Sequence, residues 1–455
     1  MHLFNRSILA VVLITLISGC LVGPSYQRPA MPNPSSYHEI SGAINTKDSI
    51  VNLKWFDFFG DQQLKVLLDS TLKRNLNLKV AVSRLDQAQE AYGIAKAQLL
   101  PSLDYSAGAS QHFSNNNSNT FSIGAGISWE IDVWGKIRHA KRAALDDVLA
   151  SQEGKKAVQS ALVAAVATAY FQLRDYDNRV AISKATYNTR LESYNLQQER
   201  FSKGYISEWD VLQSKQLMED AKANIAAYER AAAITEHYLC ALMASTALPI
   251  QRGLENSAQP QPPVIPSGLP SAILQQRPDV RQAEYVYMRE VEKIGIYQAQ
   301  RYPSLQLTGF FGNASSDLSK LFSADAFAGS ITEGILGPIF AFGKNKRRVN
   351  VQKKSAEIAA YQYCNTNLQA LKEVEDALVS VETLTKELEA RKSQTESAKK
   401  VVALSQARYD NGFSSYLELL DAQRTLFETE LITSNIRQQQ LSAYVELYRA
   451  LGGGW

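Results

Sequence analysis

Cysteine, histidine and net charge are all scarce in this chain, and each scarcity removes a class of function. There are 3 cysteines and 5 histidines in 455 residues. Cys20, Cys240 and Cys364 form no CxxC pair and no metal-type spacing, so no metal site is expected. His2, His38, His112, His139 and His237 are scattered and read as ordinary structural or surface residues. Nothing combines a nucleophile, a base and oxyanion donors, so neither an enzyme nor a cofactor is expected. The net charge is only +3, which predicts no nucleic-acid partner. Long apolar runs are missing too. After Ile8 to Ile17, no stretch approaches 18 uninterrupted apolar residues. A mature chain that crosses a membrane therefore does so with strands or not at all.

What is present is a duplication. Gly93-Ile94, Ala97-Gln98 and Pro101-Ser102-Leu103 recur as Gly295-Ile296, Ala299-Gln300 and Pro303-Ser304-Leu305, at an offset of 303 − 101 = 202. Further on the offset is 412 − 204 = 208. There Gly135-Lys136 recurs as Gly343-Lys344, Arg200 as Arg408, Gly204 as Gly412, Ser207 as Ser415 and Leu212 as Leu420. One supersecondary unit has been copied, which points to a pseudo-symmetric object built around an axis.

The N-terminus reads as a targeting segment. Arg6 precedes a short apolar core, and Ile17-Ser18-Gly19-Cys20 follows it. This tetrapeptide resembles a bacterial lipobox, which implies cleavage before Cys20 and acylation of its thiol. Acyl chains bury at ~0.8 kcal/mol per CH₂, so several chains anchor firmly. With Leu21 and not an aspartate after the cysteine, the resemblance implies the outer membrane. The Pro- and Ser-rich residues 21–50 predict an extended tether that is not packed.

A helix is expected from about Leu64 to Leu99, stopped by Pro101. Then the period changes to two. Phe121, Ile123, Ala125, Ile127, Trp129, Ile131 and Val133 alternate with small and polar residues. Leu103, Tyr105, Ala107 and Ala109 do the same before the polar turn at Ser114 to Asn119. The spacing predicts a hairpin with one apolar and one polar face, with strands long enough to cross a bilayer tilted. A second hairpin is expected over Leu305 to Asn313 and Ala326 to Phe340. In it Glu333 falls on the apolar phase, at a membrane border or after a bulge. Four strands cannot close into a barrel, and lipid does not tolerate open edges, so copies of the chain must assemble.

Each hairpin is followed by a stretch almost free of glycine and proline. Lys136 to Arg200 contains only Gly154, and Lys344 to Arg408 contains neither. Leu162, Val166, Ala169, Leu173, Tyr176 and Val180 step by three or four, as do Leu371, Val374, Leu378, Val381, Leu384 and Leu388. These are coiled-coil-like seams. A helix of ~65 residues is a rod of roughly 100 Å. Gly204 and Gly412 suit the left-handed position that ends a helix. Ser207 with Asp210, and Ser415 with Glu418, read as capping boxes that start the next one.

Taken with Val22-Gly23-Pro24-Ser25-Tyr26-Gln27-Arg28-Pro29, Arg277-Pro278-Asp279-Val280-Arg281-Gln282-Ala283-Glu284 and Ala450-Leu451-Gly452-Gly453-Gly454-Trp455, these features resemble the lipoprotein branch of the outer membrane factor family, the TolC-like efflux channels. The resemblance covers the whole mature chain. It implies a mainly α protein with a transmembrane β-barrel. Long helical hairpins form a periplasmic helical barrel, each protomer gives four strands, and a homotrimer closes the structure. It also implies contact with outer-membrane lipid, a periplasmic adaptor, and an inner-membrane pump of the resistance-nodulation-division type. The tip turns at Lys203, Gly204, Asn411 and Gly412 would dock the adaptor. Leu417, Asp421 and Arg424 would form the periplasmic gate, with Leu417 as an apolar ring, Asp421 as a carboxylate ring and Arg424 as a restraint. Leu417 and Asp421 are i, i+4 and share a helix face. Three carboxylates around a narrow axis repel by roughly 1 kcal/mol per pair at ~6 Å in water. Trp209, Gln213 and Gln216 stand at the matching places of the first copy, so only the second copy carries charge.

The expected organisation is a signal peptide over 1–19, a lipid-anchored tether over 20–63, a first repeat over 64–250, a linker over 251–269, a second repeat over 270–451 and a tail over 452–455. The expected role is a passive efflux duct in the outer membrane. The alternatives are the exit duct of a type I protein-secretion system and a lipoprotein spacer without a pore.

Overall fold

The computed structural model describes residues 21–30, 60–113, 118–260 and 276–453. The signal segment, Cys20, Gly454 and Trp455 lie outside the described residues. In chain order the elements are α1 Gln62–Arg74, α2 Leu76–Ala97, β1 Ser102–His112, β2 Ser118–Ile131, α3 Lys136–Ser202, α4 Glu208–Leu242, α5 Pro278–Ala299, β3 Ser304–Ser315, β4 Phe327–Leu336, α6 Lys344–Asp410 and α7 Tyr416–Ala450. The duplication is visible in the lengths. Helices α3 and α6 have 67 residues each, and α4 and α7 have 35 each. Their starts differ by 344 − 136 = 208 and 416 − 208 = 208. No described helix is long and apolar enough to cross a membrane.

The chain divides into two compact units, and each takes segments from both copies. One comprises 1–31, 83–153 and 281–366. The other comprises 32–82, 154–280 and 367–455.

The first unit holds an antiparallel sheet in the order β1-β2-β3-β4. Its register places Leu103, Tyr105 and Ala107 opposite Ile127, Ala125 and Ile123. It also places Trp129 and Ile131 opposite Leu307 and Leu305, and Ile331 and Ile335 on β4 in the same face. The reverse face carries Ser106, Gly108, Ser122, Gly124, Gly126, Thr308, Gly312, Ser330 and Thr332. Apolar side chains such as Tyr105, Ile331 and Ile335 are exposed in the single chain. The faces thus separate largely as the period-two pattern predicts, with Phe310 opposite Gly126 and Ser330 on the small-residue face as an exception.

The strand pairing decides the position of Glu333. It lies opposite Leu307, with Thr332 opposite Thr308 and Gly334 opposite Gln306, so no bulge intervenes. Glu333 therefore does sit on the apolar face, in the row Trp129–Leu307–Glu333, near the end where β3 starts. Strand β4 stops at Leu336, short of the expected Phe340. Gly337 and Pro338 follow, and proline has no N–H to donate to a ladder. Gly124 and Gly312 mark the closest backbone approach. A Cβ on Gly312 would lie 2.3 Å from the Ile123 carbonyl oxygen, so no side chain fits there.

Residues 21–30 form neither helix nor strand, but they are packed, contrary to the expectation of a loose tether. The Val22 N–H donates to the Trp134 carbonyl at 3.3 Å. Tyr26 donates to Glu284 at 2.7 Å, and Arg28 makes a two-pronged pair with the same carboxylate at 2.8 and 2.7 Å. Gly23 and Gly295 approach each other and the His139 ring, and a Cβ on either would clash with that ring. His139 is buried, with Nδ1 2.5 Å from Glu292. The local cause of this packing is the small residue at each crossing.

The second unit is helical. Leu64 and Leu68 of α1, Leu162, Val166 and Leu173 of α3, Leu239 of α4, Val374 of α6 and Leu441 and Val445 of α7 form one core. The stepped residues of α3 are thus its buried stripe. The expected helix from Leu64 to Leu99 is broken at Asn75. Its backbone is extended at φ −55°, ψ 128°. Its side-chain oxygen accepts from the Leu78 N–H at 2.9 Å, and its amide donates to the Leu242 carbonyl at 2.8 Å. One residue ends α1, caps α2 and ties both to the end of α4. Asp61 caps α1 and is buried. Its carboxylate accepts from Gln63 N, Tyr170 Oη, Leu254 N and Gln259 Nε2. These four donors outweigh the cost of burial and hold its pKa below the ordinary value.

Candidate functional site

The tip turns follow one plan. Gly204 has φ +78° and Gly412 has φ +75°. Nothing lies within 4 Å of a Cβ built on either, so conformation and not space demands glycine. The Tyr205 N–H donates to the Arg200 carbonyl at 3.0 Å, and the Phe413 N–H to the Arg408 carbonyl at 2.8 Å. These bonds satisfy carbonyls that the helix end leaves open. Lys203 pairs with Glu199, and the Asn411 amide donates to the Ala407 carbonyl at 2.7 Å. Ser207 and Ser415 sit in extended backbone as N-caps. At Ser207 both its N–H and its hydroxyl donate to the Asp210 carboxylate. At Ser415 the hydroxyl accepts from the Glu418 N–H at 3.4 Å, while the Glu418 carboxylate faces Arg408 at 3.4 Å. Half of the second expected capping box is therefore present, and the Glu418 carboxylate takes an ion pair with Arg408.

Leu417, Asp421 and Arg424 share the exposed side of the first turns of α7. Leu417 is 51% exposed. Asp421 and Arg424 approach to 3.8 Å, both well exposed. An exposed pair of this kind contributes roughly 0–1 kcal/mol. Tyr416, Leu419 and Leu420 turn the other way and pack on Leu217 of α4. The helix N-terminus thus buries one face and offers Leu417 and Asp421 on the other. Trp209, the first-copy counterpart of Leu417, is exposed too.

Behind this face lies a cluster that sequence reading missed. Arg200 donates to the Tyr409 hydroxyl at 2.7 Å, and its guanidinium lies 5.4 Å from the centre of the Tyr409 ring. Gln197 donates to the same hydroxyl at 3.2 Å. The Tyr409 and Tyr416 rings are 5.2 Å apart. The Tyr416 and Ser214 hydroxyls are 2.7 Å apart. Arg190 is buried, donates to the Leu217 carbonyl at 2.6 Å and faces the Phe427 ring at 4.8 Å. Burial lowers the Arg190 pKa and raises that of Tyr416. The cluster ties α3 and α4 to α6 and α7. Its signal in the sequence was disagreement between copies: Tyr416 matches Glu208, Ser214 matches Ala422 and Arg190 matches Ala398.

Among the described residues no group of His, Cys, Asp and Glu could hold a metal ion. The tip offers an apolar side chain, a carboxylate and a cation on a helix end, which suits lining a passage.

Comparison with known proteins gives a consistent result. A family model described as "outer membrane efflux protein" matches residues 67–245 and 269–453. The solvent efflux pump outer membrane protein SrpC of Pseudomonas putida is 33% identical over 97% of both chains. The cation efflux system protein CusC of Escherichia coli K12 is 31% identical over 96% of this chain and 97% of its own. The open state of the MtrE outer membrane channel of Neisseria gonorrhoeae superposes with a TM-score of 0.88 at 30% identity, over 96% of this chain and 98% of that one.

Proposed function

Because the chain belongs to the outer membrane efflux protein family, we propose a specific way in which it works as a duct. It is an outer-membrane channel component of an efflux pump and not an enzyme. It has the helical-barrel-plus-strands fold of the outer-membrane channels and reaches into the periplasm. In our reading three copies close twelve strands into one barrel. The sheet carries this reading: one face is apolar and β1 and β4 each pair on one side only. An open edge in lipid leaves backbone groups unsatisfied at several kcal/mol each, and closure removes it. Cys20 carries the lipid anchor in this reading. The packed residues 21–30 support it, because they fix the point at which the anchor leaves the protein.

Leu417 and Asp421 form the closed gate, with Arg424 as its restraint. The exposed shared face of α7 supports this. Three leucines narrow the axis and favour dewetting, and three carboxylates hinder wide passage. The turns at Lys203–Gly204 and Asn411–Gly412 dock a periplasmic adaptor, which links the duct to an inner-membrane pump of the resistance-nodulation-division type. The cargo is a small toxic compound. The relatives are named for solvents and cations, two unlike chemistries served by one architecture.

Single-channel conductance tests the gate. Leu417→Ala with Asp421→Ala is expected to raise conductance and to sensitise cells to a bulky antibiotic. Unchanged values would remove the gate from these residues. Cysteines placed at Lys203 and Asn411 are expected to crosslink to the adaptor tip in cells, and silence from both would count against docking there.

A further inference from the structure

Between Glu333 and Glu357 the chain has no acidic residue and 6 basic ones. Four of these, Lys344, Lys346, Arg347 and Arg348, fall in the first two turns of α6. All four are exposed, and none forms an ion pair among the described residues. The start of a helix carries partial positive charge, so cations crowded there are unfavourable unless an anion joins them.

The first copy holds such anions within the chain. At the offset of 208, Lys344 and Lys346 match Lys136 and Arg138. Lys136 pairs with Glu130 at 2.6 Å, and Arg138 with Asp132 at 3.2 Å. Asp132 also accepts from the Ile137 and Arg138 N–H groups at 3.1 and 2.9 Å. In the second copy Pro338 and Phe340 stand in the places of Glu130 and Asp132, and Arg347 and Arg348 in those of His139 and Ala140. Both carboxylates are gone, while the cations have grown in number. The apolar residues that replace them lack cover. Ile339, Phe340 and Phe342 are exposed, Phe342 at 86%. Phe342 is also held at φ +46°, a strained backbone for a residue with a Cβ. Its first-copy counterpart Trp134 stacks on Tyr302 at 4.6 Å and donates to the Pro303 carbonyl at 2.7 Å.

We propose that Ile339, Phe340 and Phe342 enter the periplasmic leaflet of the outer membrane, and that Lys344, Arg347 and Arg348 hold the headgroup of an anionic phospholipid there. The proposal rests on the barrel reading above. These residues follow β4 at the end of the sheet where Ile131 lies opposite Leu305 and Ser304 opposite Leu336. They therefore continue the apolar face that this reading puts in lipid. Lys344, Arg347 and Arg348 are i, i+3 and i+4 and share a face. That face is turned away from Val349, which is buried with Val291 and Ile294 of α5. Apolar side chains followed at once by clustered cations suit the boundary between acyl chains and acidic headgroups. A neighbouring chain is a poorer occupant. Closure sets β4 beside the next chain's β1, and the stretch from Ala91 to Leu103 offers Lys96 and no carboxylate. Glu333 is the one carboxylate on β4, against four cations.

Native mass spectrometry of the full-length protein in detergent tests the site, with phosphatidylglycerol and phosphatidylethanolamine offered in equal amounts. The wild type is expected to retain phosphatidylglycerol preferentially. A cation near an anionic lipid surface contributes about fivefold in binding, so Lys344→Gln with Arg347→Gln and Arg348→Gln is expected to weaken that retention about a hundredfold. Phe340→Asp returns to the second copy the carboxylate of the first and is expected to displace the lipid. Lys136→Gln with Arg138→Gln removes cations that are already paired and is expected to change retention less than about threefold. Light scattering on the same samples separates the two readings. A trimer that retains both lipids alike overturns the inference, as does one whose triple variant or Phe340→Asp variant retains phosphatidylglycerol as the wild type does. A monomer removes the barrel reading and the inference with it.

Discussion

Ala244 carries backbone strain that its counterpart avoids. It ends α4 at φ +51°, where the second copy has Gly452 at φ +91°. The bonds around the two are alike: Ser245 N–H to the Cys240 carbonyl at 2.9 Å, and Gly453 N–H to the Tyr448 carbonyl at 2.9 Å. A left-handed residue with a Cβ costs about 1 kcal/mol. Ala244→Gly is expected to raise the unfolding temperature by a few degrees, and a lower one would refute the strain. Asp146 gives a second residue-scale prediction. Burial first, then Glu292 and Asp147, push its carboxyl from 3.8 up to about 7, against the opposing pull of Arg142 and Arg289. A raised carboxyl pKa means that the folded state holds a proton the unfolded state has released. Stability therefore falls as pH climbs from about 4 to about 7 and levels off above. Asp146→Asn is expected to flatten that slope and to raise the melting temperature at pH 8 while changing it little at pH 4. A slope that survives the substitution would assign it elsewhere.

Hydrogen bonds at the ends of the helices decide where they meet, and this was the least legible scale. The stripe through Leu162, Val166 and Leu173 was readable because burial on one face imposes a period. The turns at Gly204 and Gly412 were readable because only glycine adopts their φ without strain. The break at Asn75 was not, because its partner is the Leu242 carbonyl, 167 positions away. In the sequence Tyr409 is only an aromatic residue three places before Gly412. Its role depends on Arg200, which spacing alone does not bring near. Tyr409→Phe keeps the ring against Tyr416 and removes two hydrogen bonds, one from a cation. Cleavage within the turns by limited proteolysis is expected to quicken about fivefold. An unchanged rate would make the hydroxyl dispensable. Replacing Gly412 with alanine forces a Cβ into φ +75° and is expected to cost about 1 kcal/mol in stability with little change in conductance. A loss of conductance larger than the loss of stability would assign the turn a part in gating.

At the scale of the whole molecule, the family and the fold were legible early, because a duplicated strand-and-helix pattern admits few architectures. The proposed gate at Leu417, Asp421 and Arg424 comes only from resemblance, since Asp421 and Arg424 by themselves look like any exposed ion pair. The equal helix lengths, 67 with 67 and 35 with 35, set a rule for how such a protein can change. Losing one residue from α3 alone turns all that follows in that helix by about 100° and draws it back ~1.5 Å. The counterpart in α6 stays put, and the paired turns no longer come level. A viable change of length must therefore strike four helices at once, in blocks near seven residues that return each face to within about 20° of its start. Insertions and deletions should accordingly be absent from the helices of kindred chains unless they come in matched fours, and free to accumulate in the loop between β3 and β4.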